Sequence, residues 1–296
     1  MYDGVLLVNK PLNMTSRDVV NKVCKILKTK KIGHTGTLDP NATGVLALCV
    51  GPSTKLVQFL TSDNKTYIAE ITLGITSDTL DLDGEITRRK EVNDISKEDI
   101  KNCLDSFLGA GKQIPPMYSA IKVKGKRLHE LAREGIEIER EARDIFVHQL
   151  DLVSDVKLFD GKCSFKVEVN VSKGTYIRSL AFDIGNQLGY PALMSSLHRT
   201  EQGSFEVNDC YTLEEIENGD FSIISKDDAM KSMKNVTIND EVLMTKIYNG
   251  AVIDRLCDGD ENVAVYFKNK LLAVYQVYNK DNTKMKPVRV FKNESN

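Results

Sequence analysis

A chain of 296 residues, 41 % hydrophobic and 28 % charged, has the composition of an ordinary globular protein and room for about two domains, which excludes collagen-like, disordered and low-complexity readings. No apolar run reaches the ~18 residues of a membrane span, and Asp3, Lys10 and Pro11 break any secretory h-region, so a cytoplasmic protein is expected. The net charge of −2 is unevenly spread: residues 1–65 hold nine Lys/Arg against four acids and residues 112–143 eight against five, whereas residues 205–228 hold eight acids and one lysine. A polyanion responds to the local patch, so a basic face is compatible with that average.

Val5–Val8 reads as a short buried strand. Thr15 or Ser16 can cap a helix whose apolar positions are Val19, Val20, Val23, Cys24 and Leu27, with Arg17, Lys22, Lys25 and Lys28 opposite. A Gly-rich loop, Gly33–Gly44, precedes an apolar strand, Val45–Val50, and Tyr67–Leu73 alternates as a strand does. Ser96 opens an amphipathic helix carrying Ile100, Cys103, Leu104, Phe107 and Leu108, closed by Gly109. Residues 111–126, rich in Pro, Gly and Lys, suit an exposed basic loop. Cys163–Val171 alternates strictly, and Ile177, Leu180, Ala181, Ile184 and Leu188 form a helix ending at Gly189. This irregular interleaving over residues 1–210 favours an α+β fold on a large mixed sheet over a doubly wound repeat. From about Ser232 short β segments (Val263–Phe267, Leu271–Tyr278, Pro287–Phe291) define a small β-rich unit, with the acidic stretch 206–228 as the connection.

Six scattered cysteines without a Cys-x-x-Cys pair, and four histidines without His-Glu-x-x-His spacing, give no sign of structural zinc or a disulfide framework. The segment GHTGTLDPNATG (33–44) lacks the Gly-Lys-Ser/Thr ending of a phosphate loop. It leaves one carboxylate, Asp39, in a loop before a buried strand, where an Asp-Pro turn is the plainer explanation. SKGTYIRSLAFDIG (172–185) places Tyr176 and Arg178 at a strand-to-helix junction, and an arginine near an aspartate can hold it ionised and oriented. His34 suits a capping residue or a contact to phosphate or base. Tyr67 and Leu197 read as core by default.

Together these segments closely resemble the TruB-type family of bacterial tRNA pseudouridine-55 synthases. The matching runs are LLVNKPLNMTS (6–16), KIGHTGTLDPNATGVLALCVGPSTK (31–55), KTYIAEITLGITSDTLDLDGEI (65–86), QIPPMYSAIKVKGKRLHELAREG (113–135), VSKGTYIRSLAFDIG (171–185) and SLHRTEQGSF (196–205). Asn9 and Asn13 depart from the family's usual Asp and Gly, and the C-terminal part is similar more loosely. The resemblance implies a catalytic domain at residues 1–230, with a large mixed/antiparallel sheet flanked by helices and a tRNA-contacting loop around 111–143. A small PUA-like RNA-binding domain would follow at 235–293. It further implies conversion of uridine 55 in the T-loop to pseudouridine, with help in tRNA folding as a second role.

By the same resemblance Asp39 is the catalytic carboxylate, Arg178 pairs with it, and Tyr67 stacks on the uracil and helps move the C5 proton. His34, Tyr176 and Leu197 line the base pocket. Lys10, Lys22, Lys25, Lys55, Lys122, Lys124, Lys126 and Arg127 contact the RNA backbone. No cofactor, metal, membrane or obligate protein partner is implied; the expected partner is the tRNA T-arm and the expected state a monomer. Two other classes compete. A non-catalytic RNA-folding module would need charge and aromatics but not Asp39, Tyr67 and Arg178 together. A glycosidase would want two carboxylates about one bond, and the Asp39 loop offers one.

Overall fold

The computed structural model describes residues 2–123 and 125–292. In chain order the first strands are β1 (Gly4–Lys10), β2 (Ile32–His34), β3 (Ala42–Val50), β4 (Lys65–Leu73), β5 (Ile75–Ser77), β6 (Ile86–Arg89) and β7 (Gly109–Gln113). There follow β8 (Lys122–Val123), β9 (Lys126–Arg127), β10 (Arg143–Leu152), β11 (Lys157–Phe159), β12 (Lys162–Val171), β13 (Ala192–Gln202) and β14 (Phe205–Glu206). The last are β15 (Asn235–Ile238), β16 (Ile253–Asp254), β17 (Val263–Phe267), β18 (Lys270–Tyr278) and β19 (Asp281–Val290). The helices are α1 (Ser16–Ile26), α2 (Val57–Leu60), α3 (Lys97–Asp105), α4 (Leu128–Arg133), α5 (Ile177–Gln187), α6 (Leu213–Asn218), α7 (Lys226–Ala229) and α8 (Glu241–Tyr248). Among the described residues no helix is long and apolar enough to cross a membrane.

The main sheet runs β1-β3-β13-β4-β12-β10-β7, with β2 beside β3, β11 beside β12 and β14 beside β13. Its pairings are antiparallel except β13 on β3, so it is the large mixed sheet of the expected α+β fold. Side-chain alternation explains why the Val5–Val8 and Val45–Val50 parts of β1 and β3 are apolar without a break: both of their faces are covered. Leu6, Val8, Leu46, Leu48 and Val50 pack on Val19, Val20, Val23 and Leu27 of the α1 region and on Leu213 and Ile216 of α6. Val5, Leu7, Val45, Ala47 and Cys49 face the other way, onto Phe59, Leu60 and a second sheet ordered β15-β17-β18-β19-β16. On β4 and β12, Ala69, Ile71, Leu73, Phe165, Val167 and Val169 share a core with Ile100 and Leu104 of α3 and Leu180 and Ile184 of α5.

Several elements differ from the sequence reading. The Gly-rich stretch is not all loop: Ile32–His34 pair with Val50–Leu48, so His34 sits on a strand and caps no helix. Gly111–Gln113 belong to β7, against Arg143–Ile145 of β10, and Lys122–Arg127 close a small hairpin rather than an open loop. Leu108 is 46 % exposed because α3 stops at Asp105 and Gly109, at φ +91°, turns the chain into β7. The acidic 206–228 stretch is packed against the sheet. Ile224 exchanges backbone hydrogen bonds with Val5, Tyr211 bonds Leu7 and Asn9, and α6 lies on α1.

The second sheet is equally integrated. Ala264, Tyr266, Leu271, Val274 and Phe291 complete the core beneath β1 and β3, and the rings of Phe59 and Phe291 meet edge-on at 6.5 Å. Each such side chain is worth about 1.5–3 kcal/mol of burial, against a total stability of about 5–15 kcal/mol for an ordinary domain. Removing residues 235 onward is therefore expected to yield insoluble or unfolded protein, although the sequence reading took them as a small β-rich unit of its own. Soluble expression and a thermal melt of the truncated chain check this.

Candidate active site

Asp39 is held by its neighbours' main chain. Leu38 donates its backbone N–H to the Ser16 hydroxyl at 2.8 Å, and that hydroxyl donates back to the Leu38 carbonyl at 3.2 Å. Lys10, buried at 0 % exposure, donates to the carbonyls of Pro11 (2.8 Å), Met14 (2.6 Å) and Pro40 (3.2 Å). Burial pulls the Lys10 ammonium down to about 8, with Arg199 lowering it further and Asp39 opposing. This corrects the expectation that Lys10 meets RNA phosphate: its ammonium points inward and braces the Asp39 loop.

Arg178 projects from the first turn of α5 and is 6 % exposed. Its helix begins where Gln113 of β7 accepts from the Tyr176 N–H at 2.8 Å and donates to the Tyr176 carbonyl at 3.1 Å, which replaces a side-chain cap. The guanidinium reaches Asp39 Oδ2 at 3.1 Å through Nη2 and Asp81 Oδ2 at 3.3 Å through Nη1. It also donates to the carbonyls of Thr79 at 2.9 Å and Tyr118 at 2.8 Å. One cation thus gathers the Asp39 loop, the β5–β6 loop and the segment leading to the basic hairpin.

Asp81 was not singled out by the sequence. It lies among Asp78, Leu80 and Asp83 in a stretch that looks like a solvated acidic turn, yet it is 8 % exposed. Burial pushes its carboxyl above the usual range, opposed by a hydrogen bond from Thr79 and by the Arg178 charge. Asp39 is more open, its side chain 42 % exposed. The two carboxylates on one arginine are therefore unequal: one is sealed in the protein and the other is open to solvent. Asn41 donates to Asp83 and fixes one loop on the other.

The remaining expected pocket residues gather nearby. Tyr67 on β4 is buried, in one cluster with Leu38 and Ala42 at either side of Asp39. Leu197 of β13 is half-buried, in register with Ala42 on one side and Ala69 on the other, and packs on the same cluster. Tyr176 is half-buried, and burial raises its phenol. His34 is half-buried with Nδ1 unpartnered, and burial together with the Arg17 and Arg199 cations lowers its pKa. No three His, Cys, Asp or Glu side chains come together as metal ligands would among the described residues.

The basic candidates divide. Lys25, Lys122, Lys126 and Arg127 are exposed, and Lys126 pairs with Glu134 at 3.0 Å. Lys22 and Lys55 are half-buried, with Lys22 3.6 Å from Glu217. Lys124 lies outside the described residues. Arg17, Lys25 and Lys30 also line a cleft of about 390 Å³ along α1.

A mixed sheet with an arginine-held carboxylate at the end of a loop is the frame of a pseudouridylate synthase, and the comparisons give the family. A sequence profile described as the TruB family pseudouridylate synthase N-terminal domain matches residues 24–177, and one described as the tRNA pseudouridylate synthase B C-terminal domain matches residues 178–236. Proteins named tRNA pseudouridine synthase B from Bacillus pumilus (strain SAFR-032) and Bacillus subtilis (strain 168) are 45 % and 43 % identical, covering 98 % and 100 % of this chain and 98 % and 99 % of theirs. The chain belongs to the TruB family of pseudouridylate synthases. Among solved structures, a Cbf5-Nop10-Gar1 complex contains a chain 26 % identical with a TM-score of 0.73, covering 98 % of this chain and 84 % of that one. A chain in an H/ACA RNP bound to a substrate RNA containing 2'-deoxyuridine shares the fold with a TM-score of 0.72 at 24 % identity, covering 98 % and 85 %. The second profile ends at residue 236, so most of the five-stranded sheet lies beyond both profiles.

Proposed function

We propose that this protein isomerises uridine 55 in the T-loop of tRNA to pseudouridine, without a cofactor, in the cytoplasm. The observation that carries the reading is the 3.1 Å contact between a buried guanidinium and a solvent-accessible carboxylate. In the reaction the N1–C1′ bond breaks, the uracil turns, a C5–C1′ bond forms, C5 loses its proton and N1 gains one. Nothing is oxidised or consumed. Asp39, aimed by Arg178, assists departure of the base from C1′. Tyr67 stacks on the uracil and helps move the C5 proton, while His34, Tyr176 and Leu197 bound the base.

A uridine stacked in the folded arm must be everted at a cost of about a few kcal/mol, offset by phosphate contacts. The exposed Lys25, Lys122, Lys126 and Arg127, with Lys22, Lys55 and Lys124, supply them. Residues 1–230 form the catalytic part in this reading. Residues 235–293 form a PUA-like RNA-binding part whose strand β19 carries Lys284, Lys286 and Arg289. The six unpaired thiols suit a reducing compartment. A second role in tRNA folding would use the same surface.

The test is nucleoside analysis of unmodified tRNA incubated with the protein and no added cofactor. Pseudouridine has the mass of uridine, so carbodiimide labelling precedes mass spectrometry. One labelled nucleoside per tRNA at position 55 is the expected result; unchanged uridine, or conversion elsewhere only, overturns the proposal.

A further inference from the structure

Arg199 is among the largest side chains with no exposure, and nothing above gives it contact with substrate. Its strand β13 runs parallel to β3 for three residues, Leu197–Arg199 against Ala42–Gly44. Farther along, β2 takes over that edge of β3, pairing with Leu48–Val50. The interval between these two neighbours is closed by side chains. Arg199 Nε donates to the Val45 carbonyl at 2.7 Å and its Nη2 to the Gly36 carbonyl at 3.2 Å, while the Thr35 N–H reaches the Ala47 carbonyl at 3.1 Å. Gly36 lies before Asp39 and Val45 after it, so one planar guanidinium spans both arms of the loop.

The packing leaves the arms little freedom. A methyl group added at Gly44 would lie 2.1 Å from the Arg199 carbonyl. Gln202, also fully buried, holds the same arm by donating to the Thr35 hydroxyl at 2.5 Å and to the Leu60 carbonyl at 3.2 Å. Arg199 makes no ion pair among the described residues. A buried cation without a carboxylate partner is costly where a hydrophobic side chain of similar volume would pack well. What the hydrophobic side chain lacks is the fork of donors that can join two carbonyls on opposite arms.

We propose that Arg199 is a positioning residue that clamps residues 36 and 45 together and so sets where the Asp39 carboxylate stands against Arg178. The inference rests on Asp39 being the reacting carboxylate. Lys10 acts from the other side through the Pro40 carbonyl, so the loop is gripped before, at and beyond the acid.

The test uses the full chain with Arg199→Lys and Arg199→Ala, read by single-turnover rate at saturating enzyme, tRNA affinity and melting. A lysine keeps the charge but cannot reach both carbonyls. A misplacement of about 1 Å costs roughly 100-fold, so Arg199→Lys is expected to slow the chemical step about 30- to 100-fold while affinity changes by less than about three-fold. In Arg199→Ala, millimolar guanidinium restores at least about ten-fold of the lost rate and methylammonium does not, because a single-point cation cannot bridge the arms.

Rates near wild type, slowing explained by weaker RNA binding alone, or equal rescue by both cations overturns the proposal. Should neither variant fold, Arg199→Gln decides. Its neutral, shorter amide can meet only one of the two carbonyls, so a step at least about ten-fold slower with unchanged affinity is expected and an unchanged step overturns the clamp. Asp39→Asn run alongside separates the two readings. Turnover by that variant defeats the role of Asp39, whereas an inactive Asp39→Asn beside a full-rate Arg199→Lys defeats only the clamp.

Discussion

Asp39→Asn is expected to lose pseudouridine formation by about 10⁴-fold or more while binding tRNA within about three-fold of wild type. The amide keeps the shape of the carboxylate and still offers an oxygen to Arg178 Nη2, which now stands 3.1 Å from Asp39 Oδ2. The loop should therefore stay in place, because Ser16, Lys10 and the sheet hold its backbone and not its side chain. What disappears is the negative charge that assists the base in leaving C1′. Single-turnover conversion, followed by carbodiimide labelling and mass spectrometry, gives the rate, and filter binding gives the affinity. An RNA-folding module would show no such split, since it makes no use of the charge. Turnover near wild type would remove Asp39 from the chemistry altogether.

How much of this was legible beforehand depended on whether a local pattern carried the information. The strict alternation of Cys163–Val171 and the helical spacing of Val19, Val20, Val23 and Leu27 report on their own segments, and β12 and α1 stand where those patterns put them. Asp39 and Arg178 were legible through the family resemblance, and their meeting is a tertiary event that no spacing encodes. Asp81 was passed over because Asp78, Asp81 and Asp83 together look like a solvated turn. Which of them is buried depends on α5 arriving from another part of the chain with its arginine. Lys10 and Arg199 mislead for the same reason: hydropathy places a cation outside, and only the carbonyls of a distant loop make an interior position tolerable. His34 looked like loop because glycines flank it closely, yet pairing with Leu48 draws it into the sheet. The β-rich end was legible as strands but not as a lid on β1 and β3, since the faces that β17 and β18 bury match any apolar partner equally well.

Arg178→Met is expected to lower melting by roughly 10 °C near pH 8, with a deficit that shrinks as the pH falls. Arg178 contacts two carboxylates of unequal exposure, and the buried one dominates the stability effect. Asp39 is open enough that solvent screens its loss. Asp81 at 8 % exposure has no such relief, and burial already holds its carboxyl above the ordinary range. Without the arginine that carboxyl rises further. A carboxyl whose folded pKa exceeds its unfolded value favours the native state at low pH, and that contribution is lost as pH rises through the folded pKa. The deficit therefore grows on the alkaline side and shrinks as Asp81 takes up a proton. Adding Asp81→Asn to Arg178→Met removes the stranded charge, so the double variant should regain most of the melting at pH 8 while remaining slow in turnover, because Asp39 has still lost its cation. Melting curves of the single and double variants from pH 5 to 8 check this. A deficit that stays constant with pH would mean that Arg178 stabilises the fold through its bonds to the Thr79 and Tyr118 carbonyls alone.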